Sequence, residues 1–143
     1  MSNVLKFKKL CAEAITPKYE TSGAACFDIA SIDNYYLHVS DSILAKTGLA
    51  FEVPEDHVML VFSRSGHGAK KGVRLSNCVG VIDSDYRGEL TVSLHSDRQP
   101  LRIEHGDRIA QAMVIKCEQF ELMQVEELSE TDRGSGGFGS TGK

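Results

Sequence analysis

Side chains able to move a proton or grip a phosphate gather in a few short stretches of this 143-residue chain. The densest is Gly80-Val81-Ile82-Asp83-Ser84-Asp85-Tyr86-Arg87-Gly88-Glu89-Leu90, where three carboxylates, an aromatic ring and a guanidinium stand between and beside two glycines. A carboxylate within hydrogen-bond reach of a water can serve as a general base. A second stretch, Ser63-Arg64-Ser65-Gly66, follows an apolar run and suits an anion: hydroxyls, a cation, and backbone N–H groups at the start of a short helix predicted near Ser65–Lys70. The alternative there is a Gly-rich loop with a solvated Lys70-Lys71 pair. Asp28 lies between Phe27 and Ile29, where an acid is disfavoured in a strand, so it caps a turn or serves a site. Gln111 interrupts the apolar run Ile109–Cys117 and needs partners for both ends of its amide. The end of the chain, Arg133–Lys143, carries one arginine, Phe138 and Ser140-Thr141 among five glycines. A flexible terminus is one reading. The other is a segment equipped to fold over a polyphosphate nucleotide, with a cation, a stacking ring, hydroxyls and backbone N–H groups that can approach phosphate closely.

These groups need a scaffold, and the alternation along the chain predicts strands. Val4–Leu10, Tyr35–Val39, the stretch from Ile43 to Val53, Leu101–Glu104 as an edge strand, and Phe120–Val125 as the strand that closes the sheet all read this way. Val58–Phe62 is apolar enough to be a strand buried on both faces, and Ile109–Cys117 reads as another buried strand. Val81-Ile82 and Leu90–Leu94 read as the arms of a β-hairpin with Asp83 beside its tip and Tyr86 projecting from it. Helical periodicity is nearly absent and no internal repeat is visible. An all-β sandwich or barrel follows.

Composition narrows the function. A chain of this length fits one domain with a core of its own. The formal net charge is -4, which argues against nonspecific nucleic-acid binding but leaves room for a nucleotide held by a few local cations. The cysteines, Cys11, Cys26, Cys78 and Cys117, match no zinc spacing and read as reduced thiols of a cytosol, although an even count leaves disulfides open. The first ten residues lack the apolar core of a signal peptide, and no run reaches the roughly 20 apolar residues of a membrane span.

Taken in order, these segments resemble the five motifs of the homotrimeric deoxyuridine triphosphate nucleotidohydrolases, the dUTPases. The resemblance runs from about Ala24 to Gly142. It is carried by Gly-Val-Ile-Asp-Ser-Asp-Tyr-Arg-Gly-Glu, by Gly-Asp-Arg-Ile-Ala-Gln, by the Arg-Gly-x-Gly-Gly-Phe-Gly-Ser-Thr-Gly tail, and less specifically by Arg64-Ser65-Gly66. It implies a jelly-roll-like distorted β-barrel, the dUTPase-like β-clip, with one short helix and a flexible Gly-rich C-terminal arm. Residues 1–128 would form the β domain, and 129–143 the arm that closes over a neighbouring active site. Three chains would build each site: one gives the hairpin, a second Asp28, Arg64-Ser65-Gly66 and Gln111, the third its tail.

The implied reaction is Mg²⁺-dependent attack of water on the α-phosphorus of dUTP, giving dUMP and pyrophosphate. It would keep dUTP out of DNA synthesis and supply dUMP for dTTP. By resemblance Asp83 orients and deprotonates the water, and Asp28 holds Mg²⁺ through water. Arg64, Ser65, Gly66 and Gln111 bind phosphates. Asn77, Gly80, Val81 and Ile82 satisfy the uracil edge, Tyr86 packs under the deoxyribose, and Thr91 borders the substrate. From the tail, Arg133, Ser140 and Thr141 meet the γ-phosphate and Phe138 covers the uracil, with Gly139 beside it. Cytosine would leave buried groups unpaired, at a cost of about 10⁴-fold or more. Partners are therefore dUTP and two further copies, with no nucleic acid and no membrane; a regulatory protein partner is added if the chain is phage-encoded.

The sequence departs from the family pattern at Cys26, where glycine is usual, at His67, where an apolar residue is common, and at Cys78-Val79 in the hairpin entry. Two rivals share the fold. A dCTP deaminase carries a catalytic glutamate five residues after the glycine matching Gly88, and here that position is Ser93. A non-catalytic regulatory protein would have lost Asp83 or the tail, and this chain has both.

Overall fold

The computed structural model describes residues 4–140 and 142. In chain order the strands are β1 (Lys6–Lys9), β2 (Phe27–Ala30), β3 (Tyr35–Leu37), β4 (Ser42–Lys46), β5 (Leu49–Glu52) and β6 (His57–Phe62). One short helix of the wide π type, Gly66–Lys71, follows, and then β7 (Val73–Leu75), β8 (Gly80–Ile82), β9 (Thr91–Ser96), β10 (Leu101–Ile103) and β11 (Arg108–Lys116). All pairings are antiparallel. They make four small sheets, ordered β1-β5, β10-β3, β2-β11-β6-β8 and β4-β9-β7. The all-β class stands, but the sheets share a core without closing into one continuous barrel.

Alternation explains most of this. β9 buries Val92, Leu94 and Ser96 and leaves Thr91, Ser93 and His95 half-buried on its other face. Ile29, Leu37, Leu49, Met59, Leu75, Leu94, Ile103 and Ile109 form the centre of the core. Burying each such side chain contributes about 1.5–3 kcal/mol, and each of the four sheets supplies at least one.

Three expectations are corrected. The stretch around Asp83 is not a two-stranded hairpin: β8 pairs with β6, whereas β9 pairs with β4 and β7. Residues 83–90 therefore cross from one sheet to another. Val58–Phe62 is not buried on both faces: Met59 and Val61 are buried and their neighbours are half-exposed. Phe120–Val125 forms no strand and closes no sheet. Phe120, Leu122, Met123 and Leu128 are each at least 74% exposed. The alternation is present, but its apolar face covers nothing in this chain.

Candidate active site

The crossing from β8 to β9 is fastened at its base. Leu90 donates its N–H to the Leu49 carbonyl (2.7 Å), and its own carbonyl accepts from the buried Thr47 hydroxyl. Glu89 Oε1 accepts the Gly48 N–H (2.9 Å). The β4–β5 turn thus anchors the loop from two sides. At the tip, Tyr86 donates its N–H to the Asp83 carbonyl (3.2 Å), and Arg87 Nη1 donates to the carbonyls of Ser84 (2.7 Å) and Tyr86 (3.1 Å). Tyr86 lays its hydroxyl on the Glu89 carbonyl (2.9 Å). Its ring lies so close over Gly88 that a Cβ there would fall 2.5 Å from the hydroxyl oxygen. With the ring in this position there is no room for a Cβ at residue 88.

This scaffold leaves a concavity of about 190 Å³ lined by Val81, Ile82, Asp83, Tyr86, Glu89, Leu90 and Thr91. A second hollow of about 240 Å³ adjoins it and includes Asn77, Gly80, Thr91 and Ser93. Asn77 is brought there by a tight turn in which Cys78 takes a left-handed backbone, φ 64°. The turn is held by Ser76, whose N–H donates to the Ser93 carbonyl (2.8 Å), and by a Ser93–Ser76 hydroxyl contact of 3.0 Å. The sequence-predicted residues Asn77, Gly80, Val81, Ile82, Asp83, Tyr86 and Thr91 therefore do converge. The Asp83 carboxylate is exposed and has no hydrogen-bond or ion-pair partner among the described residues. An acceptor so placed is free to receive a proton from water.

A second group forms at the far side of the four-stranded sheet. Gln111 on β11 faces Asp28 on β2 and Phe62 on β6. Its Nε2 donates to the Ser63 carbonyl (3.0 Å), so one end of the amide is satisfied within the chain and the oxygen end can meet a ligand. Asp28 lies between two guanidiniums, with Arg108 Nη1 at 3.0 Å and Arg64 Nε at 3.6 Å. Arg64 also donates from Nη1 to the Arg108 carbonyl (3.1 Å). Ser65 and Gly66 are exposed at the helix start. The Ser65 side chain makes no capping bond, so its hydroxyl is left available to a ligand. His67, on the first turn, is held below the usual imidazole range by burial first, then by the charges of Arg64 and Lys71. Its Nδ1 is buried without a partner. Burial, with the charge of Asp28 added, pushes the Cys26 thiol up.

The two groups are apart in one chain. Asp28 is on β2 and Asp83 follows β8, the opposite edges of the sheet β2-β11-β6-β8. Register adds an offset, because Asp28 aligns through Gln111 with Phe62, whereas Ile82 aligns with Met59. Three strand spacings and about four residues of offset put the backbones of the two aspartates roughly 20 Å apart.

The tail forms turns of its own. Arg133 Nε donates to the Gly136 carbonyl (3.0 Å), Ser140 N–H to that of Gly137 (3.1 Å), and Phe138 is fully exposed. Gly139 takes a left-handed φ of 90°, and Thr141 lies outside the described residues. Sequence reasoning missed Arg108, Glu20, Glu89 and Thr47. Arg108 stood in view inside Gly-Asp-Arg, but nothing in its spacing says which acid it meets.

A family model described as dUTPase matches residues 12–142. The deoxyuridine 5'-triphosphate nucleotidohydrolase of Nautilia profundicola is 47% identical over 141 residues, covering 97% of this chain and 99% of the relative. Among solved structures, a point mutant of the Staphylococcus bacteriophage 80alpha dUTPase with dUpNHpp superposes with a TM-score of 0.91 at 29% identity, covering 99% of this chain and 100% of that one. A point mutant of the dUTPase from phage phi11 of S. aureus, described as showing how a structural Mg(II) ion is coordinated, gives a TM-score of 0.82 at 26% identity, covering 87% and 98%.

Proposed function

The chain belongs to the dUTPase family, and from that premise we infer that it hydrolyses dUTP to dUMP and pyrophosphate by attack of water on the α-phosphorus. The observation that carries this reading is the placement of Asp83. Its unpartnered carboxylate stands in the wall of the same concavity as Tyr86 and Thr91. With a nucleoside in that hollow, Asp83 accepts a proton from water as the oxygen turns toward phosphorus. Tyr86 supports the sugar and leaves no space for a 2'-hydroxyl, and Asn77 with the β8 backbone takes the uracil edge. Arg64, Ser65, Gly66 and Gln111 bind the phosphates, whose transfer depends on positioning and charge neutralisation. From the tail, Arg133, Ser140 and Thr141 take the γ-phosphate. Phe138 and Gly139 close over the base.

Magnesium fits these residues in one way. Both Asp28 oxygens already face guanidiniums, and no cluster of three or more metal-ligating side chains occurs among the described residues. Asp28 would hold the ion indirectly, through water, and the rest of its shell would be left to substrate phosphates and water. When bound, it neutralises phosphate charge.

The working unit in this reading is a homotrimer. The backbone spacing of roughly 20 Å between the two aspartates is too wide for one chain to serve both ends of the reaction. The exposed apolar run from Phe120 to Leu128 is a surface that a neighbour would cover. The chain works in the cytoplasm, where its four free cysteines stay reduced; no helix among the described residues is long and apolar enough to cross a membrane.

Pyrophosphate release across dUTP, dTTP, dCTP and UTP, with and without Mg²⁺, beside a solution mass measurement, tests the reading. Turnover of dUTP alone, by a species of three chains, is expected. A lone subunit that leaves dUTP intact would sink it.

A further inference from the structure

β11 holds one residue more than its partner allows. Arg108 is opposite Ala30 and Ala110 is opposite Ile29, so Ile109 is extra. Burial records the consequence: Ile109 and Ala110 are consecutive and both buried, which strict alternation forbids and a β-bulge permits. In an unbroken register Arg108 would share the core side with Ala110. The bulge turns it to the face of Asp28 and Gln111. There its Nη1 lies 3.0 Å from Asp28 Oδ2 and 3.6 Å from Glu20 Oε2, while its carbonyl accepts from Arg64.

We propose that Arg108 is a positioning residue for the reaction: it holds the Asp28 carboxylate in place when Arg64 is drawn from that carboxylate to the substrate's phosphates. This rests on the reading of Asp28 and Arg64 given above. Of the two guanidiniums on Asp28, Arg64 is the farther and the one that a triphosphate competes for. Arg108 is nearer and is steadied by Glu20. With Arg108 in place, Asp28 keeps its rotamer after Arg64 departs and presents an oxygen to the waters around the metal. Without it, the carboxylate would lose both partners when substrate binds, and it would follow the departing cation or turn toward solvent.

Arg108→Gln, Arg108→Lys, Asp28→Asn and the Asp28→Asn/Arg108→Gln double variant test this. Each is assayed for dUTP turnover, for calorimetric binding of dUpNHpp with and without Mg²⁺, for mass and for unfolding midpoint. Arg108→Gln is expected to lower kcat about 10- to 100-fold, the range for residues that orient a metal's partners. It should weaken dUpNHpp about tenfold with Mg²⁺ and little without it, at unchanged mass. Arg108→Lys keeps the charge but not the fork and should fall between Arg108→Gln and wild type; if the glutamine variant does not fold, the lysine variant carries the test. The double variant should be no worse than Asp28→Asn alone, because the two side chains act as one unit. Wild-type turnover and analogue affinity in Arg108→Gln, equal loss of affinity with and without Mg²⁺, or multiplied losses in the double variant would each overturn the role. An active wild type beside an unimpaired Arg108→Gln overturns this role alone, whereas a wild type inert toward dUTP overturns the parent reading and this role together.

Discussion

Adding one methyl group at Gly88 tests how closely Tyr86 is fitted. An alanine Cβ there would lie 2.5 Å from the Tyr86 hydroxyl oxygen and 2.6 Å from its Cζ, and both contacts are too short to persist. The backbone is pinned at Leu90 by Leu49 and the Glu89 side chain is held by the Gly48 N–H, so it is the exposed ring that moves. Tyr86 is 45% exposed, and it can swing outward without opening the core. It would lose its hydrogen bond to the Glu89 carbonyl, worth about 0.5–1.5 kcal/mol net. The expected cost in stability is therefore small, about 2–4 °C per kcal/mol for a chain near this size. The functional cost is larger, because the ring is the proposed support of the deoxyribose. Gly88→Ala should lower kcat/KM for dUTP about tenfold, which corresponds to 1.4 kcal/mol, and should lower that for UTP less. The dUTP-to-UTP preference narrows accordingly. Tyr86→Phe is the control: it removes the same hydrogen bond but leaves the ring, so it should keep the preference. Steady-state pyrophosphate release on both nucleotides measures the ratio. A Gly88→Ala enzyme with wild-type preference would refute the assignment of Tyr86 as the group that excludes the 2'-hydroxyl.

Asp83→Asn should still bind dUpNHpp in calorimetry but lose about 10²–10⁴-fold in kcat, the range for a positioned general base; an intact rate would show that the base is elsewhere. Removing 133–143 should leave the number of chains in the assembly and the unfolding midpoint unchanged, since the described residues of that segment hydrogen-bond only to one another and, through Gly134, to exposed Thr131, while turnover falls at least about 100-fold as a closing element is lost. An unfolded or monomeric product would make the tail structural. Acid should weaken the fold through His67. The unfolded chain binds a proton there near the ordinary 6.5, and the folded chain binds it only at lower pH because burial and the charges of Arg64 and Lys71 disfavour the cation. The unfolded state thus takes up more protons below about pH 6.5, and stability falls in that window. Unfolding midpoints at pH 7.5 and 5.5 should differ more for wild type than for His67→Gln, and equal differences would dismiss the effect.

Which residues gather was legible in the sequence, and which strand each strand pairs with was not. Residues 80–83, 86 and 91 do line joined hollows, and 28, 64 and 111 do share one face, because motif spacing fixes which face and which turn a residue occupies. The hairpin reading failed because alternation marks a strand without saying which strand it pairs with. β8 and β9 are each regular, yet they pair in different sheets. Phe120–Val125 failed for a related reason: an apolar stripe looks the same whether its cover lies in the same chain or in another. Arg108 was unreadable as a site residue because its direction depends on the bulge, and two successive apolar residues are also what a fully buried strand would show.

The surplus residue in β11 constrains how this chain can drift. Side chains along it can be exchanged through the genetic code one at a time, but its count cannot. Loss of the Ile109 codon would turn Arg108 inward while leaving Gln111 where it is, and gain of a codon between them would reverse their relation again. The turn His105–Asp107 just before it is exposed yet tied down, since Gly106 donates its N–H to the Ser31 carbonyl (2.8 Å) and the Asp107 carbonyl accepts from the Ser31 N–H (2.9 Å), so the fixed count reaches back through the turn and insertions should be absent from 105–111 altogether.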